Sequence, residues 1–285
     1  MEDSASPLML RRRLRTEIRT ARLKKGFTQE QVAKDMDWSL SKMNRIEKAK
    51  SGISINDLKA LLSLYGIEER TEELVDLARA ARQSPWWSSY RDIAPPSLLE
   101  LIDYESAASA VSQFETIFVP GILQTEEYAS SVLQVFYDEK SAPEKVAALV
   151  DLRTRRRDLV NSENAPKFSF VLDESVLHRL VGSPVITSRQ FMHLVDVAKL
   201  PNVTIQVVPF TAGMHPAMKE PFEVVQFEDT PDENIVFLEG PRSDIISDDP
   251  KETQSYLEAF ERITEISLGP SDSLDRLRRA AGEMA

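Results

Sequence analysis

What most narrows the fold of this chain is a run of helix start and stop signals between Gly26 and Asp57. Gly26 ends a first helix, as glycine does at a helix C-terminus. Thr28 caps a second helix, and Gln31, three residues on, completes a capping box. Asp37-Trp38 makes a tight turn and Ser39 caps a third helix, while Ser54 and Asp57 form a second capping box ahead of a fourth. Helical spacing turns Val32, Ala33, Met36, Met43 and Ile46 inward, with Leu58, Leu61, Leu62 and Tyr65 adding core. Small Ala33 lets the third helix cross closely. Leu40, Ser41, Lys42, Asn44, Arg45 and Lys48 are then directed away from the core. Two short helices joined by a tight turn, the second presenting short or polar side chains, are what a reading head in the DNA major groove requires. A helical bundle with no nucleic-acid partner would carry the same pattern, so charge has to separate the two.

The net charge of −11 is unevenly spread. Between positions 10 and 60 there are about 14 Lys/Arg against about 6 Asp/Glu, and the remainder carries about 21 against 40. A basic segment on an acidic body fits DNA, because phosphate binding depends on the local field. The length of 285 residues suggests two domains, and 42% hydrophobic with 28% charged residues is an ordinary globular composition. No apolar run is long enough to cross a bilayer, and Arg11, Arg12 and Arg13 lead into an amphipathic pattern rather than a signal peptide. A cytoplasmic location and no membrane association are expected. The absence of cysteine excludes disulfides, thiolate zinc sites and thiol catalysis.

Residues 1–9 read as a flexible tail and 10–84 as the all-helical head. The stretch 85–96 is a linker, bounded by Ser84-Pro85-Trp86-Trp87-Ser88-Ser89 and Pro95-Pro96. The paired tryptophans suit an anchor between domains better than a ligand cage. Residues 97–285 form an acidic domain of mixed periodicity. Helices are expected over Leu98–Phe114, Thr125–Tyr137, Pro143–Asn161, Ser175–Val181, Ser188–Lys199, Pro250–Ile266 and near Ser271–Ala281. Strands are expected over Lys167–Leu172, Val203–Val208, Phe222–Phe227 and Ile235–Leu238. The fold class is α+β overall, a helix-turn-helix domain followed by a mixed α/β domain.

Catalysis is weakly signalled in that second domain. His178, His193 and His215 share no metal-ligand spacing, so each reads as a packed or surface histidine and no metal or other cofactor is expected. Asp173-Glu174 ends a strand, where either an active-site carboxylate or a helix-capping acid would sit. Arg153-Thr-Arg-Arg-Arg157 reads as a solvated helix face paired with Asp151 and Asp158, or else as a second phosphate contact or docking surface. The loop from Phe210 to Met218 has no charge. Met214, His215 and Met218 are its candidate ligand or partner residues, although a loop that merely covers the core explains it almost as well.

Two resemblances carry this further. The segment from Thr28 to Glu47 resembles the helix-turn-helix of phage-repressor-type (Xre-like) regulators over about 55 residues. The resemblance implies that Gln29 hydrogen-bonds a phosphate, that Ser39, Leu40, Ser41 and Arg45 lie nearest the bases, and that Lys42 and Asn44 lie beside the backbone. It also implies that Arg22 and Glu47 tie the first helix to the third. Leu40 either meets a thymine methyl or packs. Where that family has glycine after the third helix this chain has Ala49, which leaves the cap there open. The second resemblance rests on several segments. They are Gly52-Ile-Ser, Leu64-Tyr-Gly-Ile67, Phe118 to Ala129, Leu172-Asp-Glu-Ser-Val-Leu177, Leu200 to Phe210, Ala212 to Met218, and Pro221-Phe222. These are similar to the WhiJ-like regulators of actinobacteria. Such proteins join an Xre-like head to a large domain of undefined function, often beside a gene for a small partner protein, and are sometimes described as antitoxin-like.

The function expected is therefore a DNA-binding transcriptional repressor, not an enzyme. Its partners would be double-stranded DNA, a second copy of the chain in a homodimer, and a small protein that relieves repression. A small-molecule sensor with a pocket under the 212–218 loop is the alternative. An enzyme using Asp173, Glu174 or a histidine is the third reading.

Overall fold

A computed structural model describes residues 7–48, 52–137, 143–228, 234–240 and 243–284 of the protein. The chain divides into two compact units, Met1–Ser88 and Ser89–Ala285. Residues 1–6 of the expected tail, and Ala49, where the sequence leaves the cap after the third helix open, lie outside the described residues.

The first unit holds helices α1 (Pro7–Lys24), α2 (Gln29–Asp35), α3 (Leu40–Glu47), α4 (Ile55–Tyr65) and α5 (Thr71–Ala80). Helix α1 starts at Pro7, so positions 7–9 belong to it rather than to a tail. Proline suits the first helical position, where its missing N–H has no intrahelical partner to lose. Leu14, Ile18 and Ala21 line one face of α1 at helical spacing. They pack with Val32, Ala33, Met43, Ile46, Leu58, Leu61, Leu62, Tyr65, Leu74, Val75 and Ala78 into a single core. Each fully buried leucine here contributes about 1.5–3 kcal/mol relative to exposure.

The expected caps take shape. Thr28 Oγ1 accepts from Gln31 N at 3.2 Å while Gln31 Oε1 accepts from Thr28 N at 2.8 Å. Ser39 Oγ accepts from Lys42 N at 3.1 Å. At α4 only half of the expected box forms: Ser54 Oγ accepts from Asp57 N at 3.0 Å, but the Asp57 carboxylate turns to Lys42 instead. Aspartate is one methylene shorter than the glutamate or glutamine that closes such a box.

Three helices of this unit stop in the same way. After α1, Phe27 N donates to Arg22 O at 3.2 Å and Gly26 N to Leu23 O at 3.0 Å. After α2 the pairs are Trp38 N to Ala33 O (2.7 Å) and Asp37 N to Lys34 O (3.2 Å). After α4 they are Ile67 N to Leu62 O (3.1 Å) and Gly66 N to Ser63 O (2.9 Å). The pivot residue is left-handed each time, with φ of 72° at Gly26, 54° at Asp37 and 64° at Gly66. The turn between α2 and α3 is thus built on a left-handed aspartate.

The second unit is a six-stranded sheet with helices on both faces. Its strands are β1 (Ala110–Glu115), β2 (Lys167–Asp173), β3 (Val203–Val208), β4 (Phe222–Gln226), β5 (Ile235–Leu238) and β6 (Ile245–Ser247), in the order β3-β2-β1-β4-β5-β6. β1, β2 and β3 run parallel, and β1-β4-β5-β6 pair antiparallel. The helices are α6 (Pro96–Ser106), α7 (Glu126–Phe136), α8 (Pro143–Arg157), α9 (Ser175–His178), α10 (Pro184–Val197), α11 (Pro250–Ile266) and α12 (Pro270–Glu283). Phe168, Phe170, Leu172, Ile205, Val207, Val225 and Ile235 line one face beneath Tyr128, Phe191, Leu194 and Leu277 from α7, α10 and α12. Phe114, Val171, Val224 and Val236 line the other, beneath Phe260 and Ile263 of α11 and Ala217 of the loop before β4.

The helix expected over Leu98–Phe114 is instead α6 followed by β1. β1 is the central strand, buried on both faces, so it shows no alternation of polar and apolar residues. The helix expected to Val181 stops at His178, the one expected from Ser188 starts at Pro184, and β6, three residues long, was not foreseen. β3, β5 and α11 have the expected bounds.

Asp37→Gly should raise the stability of the first unit by up to about 1 kcal/mol, since a left-handed L-residue is strained. Asp37→Val should lower it by about 1–2 kcal/mol. Urea unfolding of the two variants checks both signs.

Candidate nucleic-acid interface

Helices α2 and α3 are locked to α1 by one carboxylate. Glu47, at the last turn of α3, is buried and takes Arg22 Nε on Oε1 at 2.7 Å and Arg22 NH2 on Oε2 at 3.1 Å. Arg22 NH1 donates to Phe27 O at 2.6 Å, which fixes the chain where α1 ends. Gln29 Nε2 donates to Glu47 Oε2 at 2.6 Å and brings in the first turn of α2. The hydrogen bond to Glu47 holds the Arg22 guanidinium above the usual arginine value, outweighing its burial. The pair implied by resemblance is present, with a third member that the sequence did not place there. Gln29, the expected phosphate contact, is anchored through one amide N–H, and its carboxamide has a second N–H to offer.

On α3, Ser39, Leu40, Ser41 and Arg45 are exposed, while Lys42 and Asn44 are half-buried. The exposed four form the outward face of the third helix, and Leu40 is not core. Lys42 is held rather than free: its ammonium lies 3.1 Å from Asp57 Oδ2 and 4.1 Å from the centre of the Trp38 ring. Burial pushes the Asp57 carboxyl up, but Lys42 and Ser54 together hold it below its ordinary value. Lys42 thereby ties α3 to α4 across the turn residue.

The second unit separates its candidate residues. Met214 is 94% exposed and Met218 55%, next to Phe210 at 59%. His215, between them in sequence, is buried, edge-on to Phe114 with centroids 5.5 Å apart. Burial lowers the pKa of both His215 and His193. Asp173 Oδ1 accepts from Ser175 N at 2.8 Å, a helix-start role. Glu174 takes Phe210 N on Oε2 at 2.8 Å and Arg276 Nε on Oε1 at 3.0 Å. Burial raises the Glu174 pKa, but these donors outweigh it and hold the carboxyl below its usual value. His178 stacks on Phe210, with ring centroids 5.7 Å apart. Among the described residues no group of three His, Cys, Asp or Glu is arranged to hold a metal ion. Trp87 is buried and Trp86 exposed, their rings edge to face at 5.6 Å.

The 153–157 cluster is not one solvated face. Arg155 does pair with Asp151, at 3.3 Å. Arg156 is buried and grips Glu105 through Nε at 2.6 Å and NH2 at 2.7 Å, with Glu223 Oε2 at 3.7 Å. Arg153 donates to Gln124 Oε1 at 2.8 Å. Sequence reasoning missed Glu105, Gln113, Glu115, Gln124 and Glu223 altogether. The one available signal was Glu223 sharing a strand face with Val225. Around this point burial pushes the Glu115 carboxyl up to about 8, helped by Glu239, and raises Glu223 well above the ordinary range.

Residues 13–76 match a helix-turn-helix domain family, and residues 98–279 match a domain of unknown function, DUF5753. The chain belongs to the DUF5753 family. With its helix-turn-helix head, this family member is a DNA-binding regulator. No curated protein and no solved structure matches the chain. Among the described residues no helix is long and apolar enough to cross a membrane.

The raised acids give the second unit a pH signature. The folded protein keeps a proton on Glu115 up to about 8, whereas the unfolded chain releases it near 4.5. Unfolding free energy therefore falls as pH rises between those values. His193 and His215, lowered from 6.5, act in the opposite sense only below that pH. Stability should thus decline from about pH 6.5 to 8, and Glu115→Gln should flatten the decline. Urea midpoints across that range measure it, and an equal slope in the variant would contradict the assignment.

Proposed function

We propose that the protein is a sequence-specific transcriptional repressor of the WhiJ-like kind, acting as a homodimer in the cytoplasm. The observation that supports this best is the α2–α3 pair. It presents Ser39, Leu40, Ser41 and Arg45 outward from a basic segment of an otherwise acidic chain. Entering the major groove, α3 would set Arg45 and the two serines against base edges, while Gln29, Asn44 and Lys42 meet phosphates. For Lys42 this means exchanging Asp57 for a phosphate oxygen. One such head makes few base contacts, which favours a pair of heads on two half-sites.

The second unit then serves as receiver rather than catalyst. Glu174 is committed to Phe210 N and Arg276, and Asp173 to the start of α9, which supports a structural role for both acids. The exposed Phe210, Met214 and Met218 offer soft apolar side chains on an acidic domain, suited to a small basic protein partner that relieves repression in an antitoxin-like arrangement.

Binding to duplex DNA from the promoter region of its own gene should weaken steeply with salt. A slope of log K on log[salt] of about −3 or steeper is expected, at about 0.9 per phosphate contact. Arg45→Ala should cost about 1–3 kcal/mol on that DNA and much less on random duplex. Binding without salt dependence, or an equal loss on both DNAs, would overturn this reading.

A further inference from the structure

The reading helix has almost no negative charge of its own. Between Trp38 and Ile53 the sequence holds one acid, Glu47, and it is buried against Arg22. A carboxylate nevertheless reaches α3 from another helix. Asp57, in the first turn of α4, places Oδ2 3.1 Å from Lys42 Nζ, fifteen positions away along the chain. Both side chains keep about a third of their surface, 36% for Lys42 and 31% for Asp57, so ions and a duplex can reach the pair. Half-exposed ion pairs are weak and give way to a competing charge.

Asp57 is well placed to compete for Lys42. Its backbone N–H donates to Ser54 Oγ at 3.0 Å, which fixes the residue at the start of α4. Burial pushes its carboxyl up, but Lys42, Ser54 and Trp38 outweigh this and keep it ionised. The Lys42 ammonium also rests on Trp38, 4.1 Å from the ring centre. Lys42 and Arg45 are three residues apart on α3 and so are surface neighbours, which puts the pair beside an exposed arginine. A DNA phosphate carries one negative charge on its oxygens, as a carboxylate does. An ammonium is a point charge with no planar fork to match, so one oxyanion can replace the other.

We propose that Asp57 is an internal competitor with DNA phosphate for Lys42 and thereby sets the absolute affinity of the head. In the free protein its carboxylate stands where a phosphate oxygen would. On the duplex Lys42 turns to the phosphate, and Asp57 is left bare beside the DNA backbone, where it takes up a cation. The inference rests on the reading of α3 as the helix that enters the groove. Phosphates are alike at every sequence, so Asp57 acts equally on promoter and random duplex, whereas Arg45 discriminates between them.

The test is the affinity of full-length Asp57→Asn for promoter duplex and for random duplex. Asparagine keeps the backbone N–H that Ser54 caps and removes the charge. Both affinities should rise by at least about threefold and by the same factor, and log K should fall more steeply with log[salt], by up to about 0.9. In a Lys42→Gln chain the same substitution should bring less than about half of that gain. Asp57→Ser also removes the charge and should match, so one well-folded variant of the two suffices. Unchanged or weaker binding by a variant with a native urea midpoint overturns the proposal. An equal gain with and without Lys42 also overturns it, since that reflects only the loss of a negative charge. An unaltered chain that binds no duplex overturns this inference together with the reading of α3. Salt-dependent binding by the unaltered chain, with no gain in the variants, overturns this inference alone.

Discussion

Almost everything the first unit offers to DNA is held in place by the carboxylate of Glu47. It is buried, and it is shared between a guanidinium from α1 and a carboxamide from α2. Buried ion pairs contribute little net stability compared with apolar packing, yet breaking one costs about 3–5 kcal/mol because a charge is left stranded. The value of such a pair is geometric. α2 is seven residues long and α3 eight, too short to persist alone, so their crossing has to be fixed from outside. Arg22 closes α1 onto Phe27 O, Glu47 brings in α3, and Gln29 brings in α2. The Lys42–Asp57–Trp38 contact repeats the device toward α4 at a more exposed position. There the attraction is weaker and a phosphate can compete for the ammonium.

The second unit spends its buried charge differently. Arg156 pairs with Glu105 inside the sheet–helix layer with Glu223 beside it, and burial keeps the nearby Glu115 and Glu223 carboxyls well above their ordinary range. Apolar residues at these places would avoid the cost of taking ionisable groups out of water. The exposed Phe210, Met214 and Met218 lie on a loop whose neighbouring His215 is sunk against Phe114, so an outward apolar face is combined with a firm inner anchor.

The head was legible in the sequence because its signals are local. Caps, a left-handed turn and inward apolar spacing are each set within about four residues, and the side chains that obey them landed where expected. The exception is Asp57, whose carboxylate answered to a lysine fifteen positions away. In the second unit β3, β5 and α11 were legible by periodicity, but β1 was not. A central strand buried on both faces has no alternation to read, and Ser109-Ala110 continues the composition of the helix before it. The buried charged cluster was hidden for a related reason. Glu105, Glu115, Arg156 and Glu223 come together only through the strand order, so Arg153-Thr-Arg-Arg-Arg157 looked like a surface run. His215 reads from sequence as a packed or surface histidine and also as a ligand candidate, and only the fold supplies the Phe114 ring it packs against.

The central claim is that the Glu47 carboxylate organises the DNA-reading face, and it is tested most directly by the affinity of Glu47→Gln for promoter duplex at fixed salt. Glutamine keeps the volume but leaves Arg22 without its counter-charge and frees the Gln29 amide. The account predicts a dissociation constant raised at least tenfold, about 1.4 kcal/mol or more. An affinity within about twofold of the unaltered protein, under 0.5 kcal/mol, would contradict it.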